Sequence, residues 1–216
     1  VEALAITFVA DWELATEEGL AKMGPAVKAA ARAGGANVQV IPSGPGFAQE
    51  AIHKLILTTI YAARKELILT TPYFVPSDAL FTALVSAAER GVEVTIVVPA
   101  RNDSWLVHYA SRSTFDELLA AGVRIAAFEK GLLHTKSITV DGHTSVFGSV
   151  NLDMRSFYLN FEISLFVYDR EFTGKLRDLQ HGYLARSRRI DAAEWARRPL
   201  WLRLVENVVR LLGPLL

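Results

Sequence analysis

The sequence contains no cysteine. Disulfides, thiolate metal ligands and a cysteine nucleophile are thereby excluded. It has no apolar run of the ~18 residues that read as a membrane span, and no stretch laid out as a signal peptide. Charge of one sign is not in excess either: 23 Lys plus Arg stand against 23 Asp plus Glu in 216 residues. That balance argues against a globally basic nucleic-acid-binding domain, and no nucleic-acid partner is expected. There is no H-E-x-x-H pattern and no clustered carboxylate set, so neither a metal nor another cofactor is expected. Internal repeats and low-complexity tracts are missing as well. The first residue is Val1 rather than Met, and helix-like sequence follows directly. The expectation is a piece cut from a longer protein.

What is present is ordinary globular material, 51% hydrophobic and 21% charged, enough for one large domain or a domain plus part of another. Residues 5–33 read as helix broken at Pro25 and stopped by Gly34-Gly35. Residues 38–41 are a short strand, and 47–65 repeat apolar residues at helical spacing. Strands at 66–70, 92–98 and 123–128 then alternate with helices at 77–90 and 104–121. That alternation predicts parallel pairing. Strands at 134–140 and 144–147 meet at Asp141-Gly142, a hairpin signal, before a strand at 160–168 and a helix at 171–186. The fold class read from this order is α/β, with a mixed, largely parallel central sheet flanked by helices on both faces.

One stretch carries chemistry. His134, Lys136, Asp141, Gly148, Ser149 and Asn151 stand in the pattern HxKx4Dx6GSxN. Residues two apart on a strand share a face, so His134 and Lys136 are expected to look into one pocket. A phosphodiester repels nucleophiles by its own charge, and a fixed cation such as Lys136 relieves this. Histidine titrates near ~6.5 and serves as nucleophile or as proton donor. Gly148 permits close backbone approach, and Ser149 and Asn151 offer hydrogen-bond donors. Asp141 sits at the turn, where shaping the hairpin is its first task. His53, His108, His143 and His181 lack such companions and read as structural or surface residues.

The pattern resembles the HKD motif of the phospholipase D superfamily, and every defining position matches. The resemblance extends to the cardiolipin synthase branch through VQVIPSGPGF (38–47), TTPYFVPSDAL (70–80), GLLHTKS (131–137), VNLDMRSFYLNFEISL (150–165) and RRPLWLRL (197–204). It implies a C-terminal catalytic lobe at residues 37–216, with 1–36 a helical remnant of the preceding lobe and linker. Ala10 to Glu13 are similar to the segment that closes that first lobe. The resemblance further implies two motifs meeting in one site and a phosphohistidine intermediate, with His134 as acid and base. Lys136, Ser149 and Asn151 would hold the phosphate, Glu162 would orient His134, and Tyr73 and Phe74 would line the path of the lipid. The implied partners are anionic phospholipid such as phosphatidylglycerol, a membrane surface, and either the N-terminal lobe or a second copy of this chain. The implied location is a bacterial inner membrane, reached through segments absent here. Hydrolysis, a metal-independent nuclease and a non-catalytic lipid-binding lobe are the competing readings.

The end of the chain is locally basic, with seven Arg from Arg186 onward against Asp191, Glu194 and Glu206. Residues 200–212 read as a helix with a broad apolar face and a stripe of Arg203, Glu206, Asn207 and Arg210. Trp195 and Trp201 suit an interface. An interfacial helix in an amphipathic tail at 190–216, or a helix closing the core, both fit.

Overall fold

In the computed structural model, the residues described are 2–16, 19, 35–47 and 50–211. The predicted helix beyond residue 16, its break at Pro25, its stop at Gly34, the stretch 48–49 and the end at 212–216 lie outside them. Helix α1 (Glu2–Thr16) buries none of its residues. Strand β1 (Asn37–Ser43) and helix α2 (Ala51–Ala62) follow. The alternating region gives β2 (Glu66–Thr70), a short β3 (Phe74–Val75), α3 (Asp78–Glu89) and β4 (Glu93–Pro99). Ser77 caps α3 by accepting the Leu80 N–H.

The expected helix at 104–121 is two helices, α4 (Trp105–Ser113) and α5 (Phe115–Ala120). The hydroxyls of Ser113 and Thr114 donate back to the carbonyls of Ala110 and Ser111 at 2.7 and 2.8 Å, which bends the chain there. Then come β5 (Arg124–Phe128), β6 (Ser137–Val140), β7 (Thr144–Gly148), β8 (Leu152–Asp153) and α6 (Met154–Tyr158). The chain continues through β9 (Glu162–Tyr168), α7 (Arg170–Leu184), β10 (Ser187–Arg189), α8 (Ala192–Ala196) and α9 (Leu200–Arg210).

The main sheet runs β1-β9-β7-β6-β2-β4-β5-β10. Only β2–β4 and β4–β5 pair in parallel; the other five pairings are antiparallel. The mixed sheet expected from the sequence is found, but its pairing is mostly antiparallel rather than largely parallel. The physical reason is connection length: a three-residue loop (141–143) joins β6 to β7 as a hairpin, whereas the parallel neighbours β2, β4 and β5 are linked through helices α3, α4 and α5. One sheet face packs Leu67, Leu69, Ile96 and Ile125 on Ile56 and Leu84 of α2 and α3. The other face sets Val97, Phe128 and Leu133 against Tyr183 and Leu184 of α7. Residues 187–210 are not a free tail. Strand β10 pairs with β5, and Ile190 and Trp195 belong to the core. Trp195 is thus not an interface residue; it lies between the guanidinium groups of Arg198 at 3.7 Å and Arg112 at 4.4 Å from its ring.

Candidate active site

The register of the sheet gathers loops at one edge. Thr70 of β2 faces Ser137 of β6, Ser137 faces Phe147 of β7, Gly148 faces Ser164 of β9, and Ser43 of β1 faces Glu162. The ends of β1, β2, β4, β5 and β7 and the starts of β6 and β9 therefore lie together. Tyr73, Arg101, His134, Lys136, Ser149, Asn151 and Glu162 all follow or precede a strand at this edge.

His134 is exposed and lines a groove of about 60 Å³ with Tyr73, Arg101, Asn102, Asp103 and Leu132. Among the described residues nothing hydrogen-bonds its ring. It precedes β6 by three residues, so strand alternation does not link it to Lys136. The link is instead a hydrogen bond, from Lys136 Nζ to the His134 carbonyl at 3.0 Å. Lys136 itself lines a neighbouring crevice of about 20 Å³ beside Thr70, Gly148 and Ser164. Burial pushes its ammonium pKa down, against the fields of Glu162 and Asp153, which hold it up. The stretch is braced from behind, because Thr135 and Tyr183 share a hydrogen bond of 3.0 Å. Fully buried Gln180 accepts from Thr139 at 2.6 Å and donates to Ser137 Oγ at 3.1 Å.

The remaining candidates separate. Gly148 is required by contact: a Cβ there would meet the Ile163 carbonyl at 2.1 Å, so the close approach is by β9. Ser149 Oγ accepts the Ile163 N–H at 2.9 Å. Asn151 is buried, donates to Ser156 Oγ at 3.0 Å, and leaves its Oδ1 without a partner among the described residues. Glu162 accepts from Asn160 at 3.2 Å and makes no hydrogen bond to His134, so the orienting contact implied by resemblance is not formed. Its field falls on Lys136 instead. Tyr73 donates to Asp103 at 2.8 Å, while burial, and then Asp103, push its hydroxyl pKa up.

The expectation for Phe74 is corrected, and Asp141, counted with the chemical residues of the motif, is found in the hairpin-shaping role expected of it. Phe74 is 1% exposed and packs in the core near Phe115, so it cannot line a lipid path. The strand β3 pairing with Leu152 turns it inward. Asp141 lies at the opposite edge of the sheet from His134. Its carboxylate accepts the backbone N–H groups of Arg64, Lys65 and Glu66 at 2.9, 2.7 and 2.9 Å. It joins the hairpin to β2 and touches no part of the groove.

Asp153 was not singled out from sequence. It is buried, caps α6 through the Ser156 N–H at 2.6 Å, and acts electrostatically on Lys136 and Tyr73. Burial raises its pKa. Its signal was an Asp three residues before Ser156 at a helix start, which is a cap pattern. Of the other histidines, His53 is buried with both ring nitrogens engaged, by Ser77 at 2.8 Å and Tyr158 at 3.2 Å.

The family described as "Cardiolipin synthase, PLD-like domain" matches residues 56–181. The chain is 52% identical over 215 residues to Cardiolipin synthase A of Serratia proteamaculans (strain 568), covering 99% of this chain and 44% of that one. It thus spans less than half the length of the curated relatives it matches. The fold is similar to that of the phospholipase D family member Nuc from Salmonella typhimurium, with a TM-score of 0.63 at 23% identity, over 72% of this chain and 99% of that one. It is also similar to phosphatidylserine synthase from Haemophilus influenzae Rd KW20, with a TM-score of 0.67 at 18% identity, over 83% of this chain and 48% of that one. With the family match covering more than half of its length, the chain belongs to the cardiolipin synthase, PLD-like domain family.

Proposed function

We propose that this chain is one catalytic lobe of a phosphatidyltransferase that makes cardiolipin and glycerol from two molecules of phosphatidylglycerol at a membrane surface. The observation that carries the reading is an exposed imidazole, His134, backed by the half-buried ammonium of Lys136. It stands in a chain 52% identical to Cardiolipin synthase A. A histidine of the preceding lobe, or of a second copy, attacks phosphorus and forms a P–N bond. The P–O bond to the leaving glycerol breaks, and protonated His134 donates its proton to that oxygen. The acceptor hydroxyl of the second lipid then returns a proton to His134 as its oxygen displaces the histidine.

Lys136 balances the phosphate charge, and Glu162 and Asp153 keep it charged. The Ser149 hydroxyl donates to the Ile163 carbonyl over a long 3.5 Å, and rotating it frees that hydrogen for a phosphate oxygen. Turning over the Asn151 amide lets it accept from Ser156 and point its NH₂ at the ligand. Tyr73 and Arg101 wall the groove. The N-terminal stretch 1–36 is read as part of the preceding lobe. Exposure of Ile6, Phe8 and Leu14 on α1, each 60% or more, supports that reading.

The test is conversion of phosphatidylglycerol to cardiolipin in anionic bilayers over a range of chain concentration, beside His134→Ala. A rate rising faster than linearly, and lost in the variant, means two copies build the site. Activity only on adding the preceding lobe means His134 is half of a heterologous pair. Inactivity even then refutes the transferase reading.

A further inference from the structure

Helix α9 is mounted with its amphipathicity reversed. Glu206 is 1% exposed and Val209 is buried, while Leu200, Trp201, Leu204, Val208 and Leu211 are 78, 67, 66, 55 and 79% exposed. At 3.6 residues per turn the exposed apolar residues, with Val205, occupy roughly 140° of one face, and Glu206 lies opposite.

The orientation is fixed by charge. Glu206 accepts from Arg112 at 2.8 Å and from Arg198 at 3.0 Å, and Arg198 also reaches Asp116 at 2.8 Å. Arg210 pairs with Glu117 at 3.3 Å. A buried carboxylate held by two guanidinium groups tolerates no rotation of the helix, because turning it would strand those charges. The apolar stripe is therefore held outward, a face larger than a soluble monomer ordinarily leaves bare.

We propose that this face docks the lobe on an anionic lipid bilayer, a proposal that deepens the membrane-surface reading above and rests on it. The charge around the stripe selects a bilayer over a protein partner. The one carboxylate of α9 is buried and neutralised, and the acids of α5 that face it, Asp116 and Glu117, are both paired to arginines. Five arginines (Arg112, Arg197, Arg198, Arg203 and Arg210) thus stand against three acids; Arg197 is exposed, and Arg203 and Arg210, although paired to Asp116 at 3.8 Å and Glu117 at 3.3 Å, keep side chains 43 and 38% exposed at the margin. Arginines flanking an apolar strip that carries a tryptophan suit the headgroup region. The location also fits. Helix α9 packs on α4, whose amino end is the Arg101–Ser104 loop of the His134 groove. A bilayer under α9 is thus one helix from the site that takes lipid.

The experiment uses the purified chain with vesicles of phosphatidylglycerol and phosphatidylcholine, against phosphatidylcholine alone. Brominated acyl chains report on Trp201 by the quenching lost in Trp201→Phe. Quenching on the anionic vesicles is expected. The double variant Leu204→Glu, Val208→Glu should lose at least about tenfold in bound fraction at an unchanged melting temperature, since both positions are exposed. His134→Ala should bind like the unaltered chain, which separates docking from turnover. Equal binding by the double variant, or an unquenched Trp201, overturns the proposal. So does shielding of Trp201 without vesicles, whether by self-association at higher concentration or by the preceding lobe. Loss of docking with cardiolipin synthesis intact removes this inference alone; docking without synthesis by the assembled enzyme removes the transferase reading alone.

Discussion

The last residue of the HKD triad offers a direct test of whether the motif is one chemical unit. Asp141 stands at the edge of the sheet away from His134, with φ of 51° and three backbone amides on its carboxylate. Hydrogen bonds to a charged group are each worth about 1.5–3 kcal/mol when well buried. Asp141 is only half-buried, so water replaces much of that, and about 1–2 kcal/mol in total is a fair figure. Asp141→Ala also puts a Cβ residue without a local acceptor at positive φ, about 1 kcal/mol more. The expected loss is about 2–3 kcal/mol for Ala and about 1 kcal/mol for Asn, which keeps one acceptor and tolerates that backbone.

Urea unfolding followed by circular dichroism reads this as a lower midpoint at unchanged slope. The pH dependence has a defined sign. Burial works against the Asp141 carboxylate, but the three amides outweigh it and hold its pKa below the ordinary value. The stabilisation is therefore complete above about 3.9, the unfolded value, and is lost as pH falls through the lower folded value. The advantage over Asp141→Asn should vanish in that window. Turnover of the assembled enzyme should fall only with the folded fraction. A fully folded Asp141→Asn enzyme slowed a hundredfold would refute this reasoning and return Asp141 to the chemistry.

Two further outcomes follow from contacts near the groove. Gly148→Ala should destabilise by about 3 kcal/mol or more, because its Cβ meets two pieces of β9 backbone, at 2.1 and 2.9 Å; a midpoint shift worth under about 1 kcal/mol contradicts the register at β7–β9. Asp153→Asn keeps the α6 cap and removes a buried charge whose pKa is raised by burial. The melting temperature of the variant should gain on the unaltered chain as pH rises from about 4, and a gap that is constant with pH speaks against the burial of that carboxylate.

What the sequence disclosed was mostly local. The apolar runs of β2, β4 and β5, the Asp141-Gly142 hairpin and the Ser77 cap are written in neighbouring residues, and each is found. Pairing direction is not local, and the sheet proved more antiparallel than the alternation implied. Strand β10, only three residues with two arginines, has no apolar signature at all. Phe74 and Trp195 show the same limit. An aromatic beside Pro72 or among arginines reads as a wall or an interface residue, yet β3 pairing and two stacked guanidinium groups bury them. Glu206 looked like part of a solvent-facing stripe because its partner Arg112 lies 94 positions earlier. In the candidate site, the motif positions that gather at one edge of the sheet were legible because their spacing is short. Asp153 and the Gln180 brace were not, since their effect depends on groups brought in from other strands.

The sheet also bears on what the proposed reaction would draw from outside this chain. The groove holds His134 and no other histidine. His53 is near the same edge but has both nitrogens occupied in the core, and His143 is bonded to Thr144 in the hairpin at the far edge. His108 lines a separate cavity of about 50 Å³ with Arg112 and Trp195, and His181 is exposed on α7. None can reach phosphorus bound at His134 without dismantling an element that carries it. A reaction that passes its phosphatidyl group through one histidine while another moves the proton therefore needs a second unit facing this edge. The solved chain of Nuc is matched over 99% of its length by this fold, and that of phosphatidylserine synthase over 48%. One such unit can thus be a whole chain or half of one. For the proposed transferase, the concentration dependence of turnover is the measurement that tells a second copy from a preceding lobe.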